Sequence, residues 1–582
     1  MIINFKLLYI FSFIISTLGI VAFFGDFGFN QSKDSRMMFD GYYHFAIAIG
    51  LISTAARYYE KRTSVNRKAF IFDLATVIFT VVIFYFHFLS PLYGSLDRFF
   101  ESRYWVIMAV VFTFIREFSD LKINFKRTIL NPAQLFISSF IVIILMGAFL
   151  LTLPKATTHG ISFLDALFTS TSAVCVTGLS VLNTGSDFTT FGKLIIIILI
   201  QIGGLGILTF ASYFSYFFKG GTSYENQLAL SDMTSSKKLG DVFSTLKNII
   251  LITFGIELFS GILIYTSVSS TLFTSEFQHI FFSIFHSVSA FCNAGFSTLD
   301  ASLYDEAYRY NYYLHLVIIF TFVFGGLGFP IVVNIINYIK YKIAHISPFS
   351  EQKRMYRPWV LTLDSRITLV TTVSLTIVGT IIFYILEYHN TLAEHEGFGK
   401  FVTALFGATT PRTAGFNTIN NASMSFPTIM VIFLLMWVGA SPQSTGGGIK
   451  TNTFAIAFLN VLSLAKGKSK VEIFRREIAD ISIRRAFAIM TLSLMAIGLG
   501  IMLITFFDPD KNLLDISFEC FSAYSTVGLS LGITASLSEA SKMVLIGIMF
   551  VGRISMLSLA IAIVKKSKYK NYSYPKEEIT IN

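Results

Sequence analysis

Four short strings of the sequence end a polar loop in Gly: VCVTGLS at Gly178, FCNAGFS at Gly295, PRTAGFN at Gly415 and YSTVGLS at Gly528. In each, Gly follows Thr, Ala or Val and is followed by Leu or Phe. Glycine can enter positive φ, so such a loop can turn its carbonyls to one side. Carbonyls in a narrow ring can replace the hydration shell of a monovalent cation. The candidate ring is Val176, Thr177, Gly178 and Leu179; Asn293, Ala294, Gly295 and Phe296; Thr413, Ala414, Gly415 and Phe416; and Thr526, Val527, Gly528 and Leu529. One such string means little. These four lie 117, 120 and 113 residues apart, and a second glycine landmark follows each, at Gly203, Gly325, Gly439 and Gly552. A fixed period of this kind dictates the architecture.

Each unit reads as long apolar segment, short segment, loop, long apolar segment. First spanning helices are predicted near 131–152, 248–268, 367–388 and 486–507, and second ones near 191–218, 312–341, 426–464 and 541–565. The short segments, Phe163–Ser172, Glu276–Phe291, Phe398–Thr409 and Leu514–Tyr524, cannot cross a hydrocarbon core of ~30 Å. Two open like capping boxes, at Ser162 with Asp165 and Ser275 with Gln278. Irregular backbone at membrane depth must be packed in protein or line water. Four such loops converge most simply on one axis. The short helices would aim their negative C-terminal ends at it and favour a cation.

Composition agrees. Of 582 residues, 54% are hydrophobic and 14% charged, against roughly 45–50% and 25% for a soluble domain. A soluble enzyme, a disordered chain and a disulfide scaffold are excluded, and the net charge of +11 needs no nucleic acid. Four further apolar segments, near 5–24, 41–57, 69–90 and 104–118, precede the repeats. Most Lys and Arg fall in 57–68, 116–127, 219–247, 340–366, 466–485 and 565–576, which places these loops and both termini inside. The expected fold is an all-α polytopic membrane protein: four pseudo-repeats of helix, pore helix, filter loop and helix around one pore, after four extra transmembrane helices. Its divisions are 1–127 for the extension, 128–219, 220–342, 343–466 and 467–566 for the repeats, and 567–582 for a cytoplasmic tail.

Three other features bear on the pore. The second helix of the third unit is interrupted by Gly439–Gly448 (GASPQSTGGG) and Lys450. Such a break at midplane marks a gate or an ion site, with a packing kink as the plain alternative. Arg553, beside Gly552, should face the bundle interior. Arg412, three residues before Gly415, should brace its loop from behind by donating to carbonyls. Lys450 either lines the pore or sits at its inner mouth. Cys175, Cys292 and Cys520 read as packing residues, as do His279, His286 and His315. Asp73 and Arg116 lie within the extension, but Arg98, Arg103 and Arg116 lack the every-third spacing of a voltage sensor.

The strings Thr171–Ser180 (TSAVCVTGLS), Ser289–Ser297 (SAFCNAGFS), Ala408–Thr418 (ATTPRTAGFNT) and Ser522–Ser530 (SAYSTVGLS) resemble the Trk/Ktr/HKT superfamily of K+ transporters, closest to its bacterial TrkH- and KtrB-like pore subunits. The resemblance spans about 128–566. It implies K+ uptake down the electrochemical gradient across the cell inner membrane, with K+ held at the filter carbonyls and selected over Na+ because all four positions carry Gly. A Na+-permeable or Na+-coupled transporter of the same fold is the alternative. It further implies a gate formed by Gly439, Gly446, Gly447, Gly448 and Lys450 with Arg553, filter support from Arg412, a homodimer in membrane lipid, and a cytoplasmic nucleotide-binding ring subunit (TrkA/KtrA-like). The chain would then be no enzyme, hold no covalent cofactor and meet nucleotide only through that partner.

Overall fold

A computed structural model describes residues 5–60, 67–88, 103–120, 132–206, 242–346 and 361–554. The expected tail 567–582, the continuation of the first repeat's second helix to 218, and the loops between 219 and 241 and between 347 and 360 lie outside the described residues.

The first four helices, Lys6–Gly28, Lys33–Glu60, Arg67–Phe88 and Arg103–Asp120, pack around Tyr43, Ile47, Ile83, Val106 and Val110. Among the described residues, the buried charges of this bundle pair with one another. Arg57 meets Glu117, Arg116 meets Asp73 at 2.5 Å, and Tyr58 donates to Asp73 at 2.6 Å. Arg103 bridges Asp26 at 2.8 Å and Asp40 at 2.7 Å. Buried charges persist only when paired in this way. The bundle touches the first repeat where Lys155 N donates to Gly28 O at 3.0 Å.

Four repeats follow. The first is Pro132–Leu151, pore helix Phe163–Val174 and Thr190–Leu205. The second is Val242–Ser267, pore helix Glu276–Phe291, then Tyr312–Leu327 and Phe329–Ile346. The third is Leu363–Glu387, pore helix Phe398–Thr409, then Phe426–Trp437 and Thr451–Ala465. The fourth is Asp480–Phe507, pore helix Leu513–Ser525 and Glu539–Ile554.

Four described helices are long and apolar enough to cross a membrane, Leu7–Gly28, Lys247–Ser267, Leu363–Glu387 and Asp480–Phe507, with one further bent pair. Three of them are first helices of repeats. Their outward faces carry bare apolar side chains such as Leu258 (68% exposed), Ile385 (68%) and Phe506 (77%), a surface that suits lipid and not water.

The second repeat departs from the single span expected over 312–341. Its second helix breaks at Gly328 (φ +85°), where the chain bends by 105°. The groups freed there are satisfied by the third repeat's interruption. Ser441 N donates to Gly326 O (2.9 Å), Thr445 N to Gly325 O (3.4 Å), and Phe329 N to Gln443 O (3.2 Å). Both interruptions are thus one packed unit, the condition for irregular backbone at membrane depth.

The pore helices start where a side chain caps them. Ser162 Oγ accepts from Asp165 N at 3.1 Å, Ser275 Oγ from Gln278 N at 3.3 Å and Asn512 Oδ1 from Leu514 N at 3.2 Å, each worth about 1 kcal/mol. The third pore helix has no such cap and opens at Gly397. Polar latches join neighbouring repeats. Asn183 Nδ2 donates to Asp300 O, Asn417 N to Ser302 Oγ, Asn421 Nδ2 to Ser530 O, and Lys542 Nζ to Asp165 Oδ1 at 2.8 Å. The loop between the third and fourth repeats carries a hairpin, Glu472–Ile473 against Arg476–Glu477. Its turn residues Phe474 and Arg475 both have positive φ, as a type I′ turn requires.

Candidate ion pathway

The four filter loops share one backbone conformation. Each glycine has positive φ: Gly178 (+90°), Gly295 (+68°), Gly415 (+77°) and Gly528 (+91°). So does the residue two before it: Val176 (+58°), Asn293 (+59°), Thr413 (+74°) and Thr526 (+52°). The residue between has negative φ in every repeat. Alternation of hand along a chain turns successive carbonyls toward one side. For β-branched Val and Thr the left-handed region costs roughly 1–2 kcal/mol each, so the surrounding protein must impose it.

The loops close into a ring. A Cβ placed on Gly178 would collide with Ala294 O, one on Gly295 would lie 3.0 Å from Ala414 O, one on Gly415 would collide with Val527 O, and one on Gly528 with Thr177 O. Each glycine therefore faces the carbonyl just before the next repeat's glycine, in the order first, second, third, fourth, first. No side chain fits at any of the four.

The second landmark has a packing reason. A Cβ on Gly203, Gly325 or Gly552 would strike the pore-helix carbonyl of Val174, Phe291 or Tyr524, four residues before each filter glycine. The second helix thus lies flush against the end of the pore helix. Gly439 differs, facing Gly447 O within its own loop.

Hydroxyls of the pore helices hold the filter backbone from behind. Gly178 N donates to Ser172 Oγ (3.0 Å) and Gly528 N to Ser522 Oγ (3.1 Å). Ser289 Oγ donates to Phe296 O (2.7 Å) and Thr410 Oγ1 to Phe416 O (2.7 Å). The carbonyls of Phe296 and Phe416 are thereby engaged from behind, unlike those expected of every filter residue. The sequence reading missed these hydroxyls, although Ser recurs six residues before the glycine in three repeats.

On one side the ring opens into a cavity of about 540 Å³ lined by Gly178, Gly295, Gly415, Gly528, Ser297 and Ser530 among others. On the other lies the third repeat's loop. Val438 and Ile449 pair across its neck. Gly447 N donates to Thr526 Oγ1 (2.9 Å), and Thr445 Oγ1 sits 3.2 Å from the Asn293 side chain. A Cβ on Gly446 would collide with Thr413 Oγ1. The loop therefore meets the left-handed residue of three of the four filter segments. Gly448 has φ +67° and lies against Ser525.

The three cations take distinct places. Arg553 donates to Thr445 O and to Gly203 O at 2.5 Å, joining the loop to the first repeat. Lys450 Nζ donates back to Gly446 O (2.6 Å) and Gly447 O (3.3 Å), so its charge is folded onto the loop. Arg412 points away from the filter. It donates to Thr372 O at 3.3 Å and lies 3.4 Å from the hydroxyls of Thr376 and Thr372, bracing its loop against the first helix of its repeat and not through filter carbonyls. Cys175, Cys292 and Cys520 are free and buried. His279 stacks between Tyr265 and Phe273, and His315 packs on Phe406.

A membrane protein with four re-entrant helix–loop units closing one ring is defined as a pore-type ion pathway. The family model "TrkH: Cation transport protein" matches residues 100–573. The chain is 35% identical over 451 residues to Ktr system potassium uptake protein B of Bacillus subtilis, covering 77% of this chain and 96% of that protein. It is 34% identical over 466 residues to potassium/sodium uptake protein NtpJ of Enterococcus hirae, covering 78% and 98%. The crystal structure of the potassium transporter TrkH from Vibrio parahaemolyticus shares its fold with TM-score 0.59 at 16% identity, over 84% of this chain and 97% of that one. The chain belongs to the TrkH family of cation transport proteins.

Proposed function

We propose that the protein takes up potassium across the cytoplasmic membrane through this ring, in the direction set by an inside-negative potential of about 2.3 kcal/mol per charge per 100 mV. The observation that carries it is the closed succession of Gly178, Gly295, Gly415 and Gly528, each against the next segment's carbonyl. In this reading a dehydrated K+ occupies the carbonyls of the filter segments. The third repeat's loop and Arg553 obstruct the inner mouth, one by occupying it and the other by its positive charge. Opening means undocking the loop from Thr526, Asn293 and Thr413.

The relatives named as Ktr system proteins B and D support a multi-component assembly. We assign the chain a homodimeric state, cytoplasmic termini and a cytoplasmic nucleotide-binding partner that moves the loop. The divisions 128–219, 220–342, 343–466 and 467–566 are its pore repeats, and 1–127 an added bundle. A Na+-permeable or Na+-coupled transporter is the second reading, favoured by the similarity to a potassium/sodium uptake protein.

Tracer uptake of Rb+ into liposomes holding the purified protein, with K+ or Na+ as competitor, tests the assignment. Competition by K+ and not by Na+ is expected. Equal competition, or K+ uptake that requires Na+, favours the second reading.

A further inference from the structure

Nine residues before each filter glycine the pore helices carry Thr169, His286, Phe406 and Glu519, and two residues after it stand Ser180, Ser297, Asn417 and Ser530. All four pore-helix positions are buried. Only in the second and fourth repeats do the two positions bond to one another, and there they build the same network.

His286 Nδ1 lies 2.9 Å from Phe282 O. A backbone carbonyl only accepts, so this nitrogen carries the proton in the neutral ring. The other nitrogen, Nε2, then accepts from the Ser297 hydroxyl at 2.9 Å. In the fourth repeat Glu519 Oε1 accepts from the Ser530 hydroxyl and from Thr534 Oγ1 at 3.0 Å. The serine oxygens, in turn, accept from the chain two residues on, Leu299 N at 3.1 Å and Gly532 N at 2.8 Å. Each serine is thus clamped between its pore helix and the turn leaving the filter. In the first repeat Thr169 Oγ1 bonds its own helix at Asp165 O, and Phe406 of the third has no polar side-chain atom.

Ring order sets the second and fourth repeats opposite each other. We propose that His286 and Glu519 are positioning residues for ion selection. Acting through Ser297 and Ser530, they fix the outer rim of the filter at two facing repeats and leave the other two to different supports. The inference rests on the filter reading above and goes beyond it, since it makes the fourfold ring functionally twofold. Each side chain is an acceptor aimed at a serine that lines the outer cavity, with no contact to the ion itself.

Two readouts on full-length protein test this. The first is the K+ concentration that gives half of the K+-dependent thermal stabilisation in detergent, and the second is the K+-to-Na+ uptake ratio in liposomes. Ser530→Ala and Glu519→Leu should each raise that concentration up to about tenfold and lower the ratio, the loss expected of one buried hydrogen bond. The double variant should be no worse than either single one, because both remove the same bond. Glu519→Gln keeps an acceptor and should stay near wild type. Ser297→Ala should resemble Ser530→Ala, and Ser180→Ala should change neither readout more than twofold. Ser530→Ala deletes one oxygen at the cavity wall and serves if Glu519→Leu does not fold. Additive effects of the pair, or equal effects of Ser180→Ala and Ser530→Ala, overturn the proposal. K+ stabilisation that responds as described without uptake by wild type would overturn the uptake reading and keep this one.

Discussion

The amide of Gly447 donates to the hydroxyl of Thr526 at 2.9 Å, which ties the interrupted helix of the third repeat to the left-handed residue of the fourth filter segment. It is one of the contacts that join this loop, the proposed obstruction, to the ring of filter segments. Thr526→Val keeps the shape and removes the acceptor. A net loss of about 0.5–1.5 kcal/mol should favour the undocked loop and raise the Rb+ uptake rate of the protein alone several-fold. An unchanged rate would show that the loop is held by its other contacts.

Arg553 bonds Thr445 O and Gly203 O together. Arg553→Gln removes the charge and weakens both bonds, and uptake should rise more than in Thr526→Val. Arg553→Lys restores the charge but lacks the planar fork that spans two carbonyls. It should fall between Arg553→Gln and wild type. Uptake by both Arg553 variants at the wild-type rate would remove Arg553 from the barrier.

Much of this architecture is legible in the sequence because period and glycine placement are backbone properties. Glu276–Phe291 and Phe398–Thr409 are read to the residue, and the interruption after Gly439 follows from Pro442 and its glycines. The break at Gly328 is not, since GGLG within an apolar run reads as continuous helix. The clue was its recurrence, for Gly206 also leaves a GGLG string with positive φ. Side-chain partnerships were hidden for another reason. Arg412 reaches back 36 and 40 residues to Thr376 and Thr372, and Thr445 reaches 152 to Asn293. No local pattern encodes such pairs. Asp73 and Arg116 could be weighed singly in the sequence, whereas only the fold shows them as each other's partner.

The flush contact of Gly552 with Tyr524 O leaves no room for a methyl group. Gly552→Ala should cost about 1–3 kcal/mol through overpacking and lower the thermal midpoint. Gly547, which has open space around it, serves as the control, and Gly547→Ala should leave the midpoint unchanged or slightly raised. A lower midpoint for Gly547→Ala alone would contradict the packing account.

Removing the acidic member of a buried pair in the N-terminal bundle weakens that bundle. Asp73→Asn leaves Arg116 facing a neutral amide and should lower the thermal midpoint or the folded yield. The K+-to-Na+ uptake ratio of the folded fraction should stay at the wild-type value, because the contacts described between bundle and pore, Gly28 with Lys155 and Phe27 with Phe191, lie in the first repeat and not at a filter loop. A changed ratio would tie this bundle to selection.

The most direct test of the central claim is the K+-to-Na+ uptake ratio in liposomes for wild type and Gly178→Ser. Gly178 has φ +90° and faces Ala294 O with no space for a side chain, so serine must displace the second filter segment or its own. The account predicts a K+-selective wild type and a variant that admits Na+ or conducts neither ion. A variant with the rate and selectivity of wild type would contradict it.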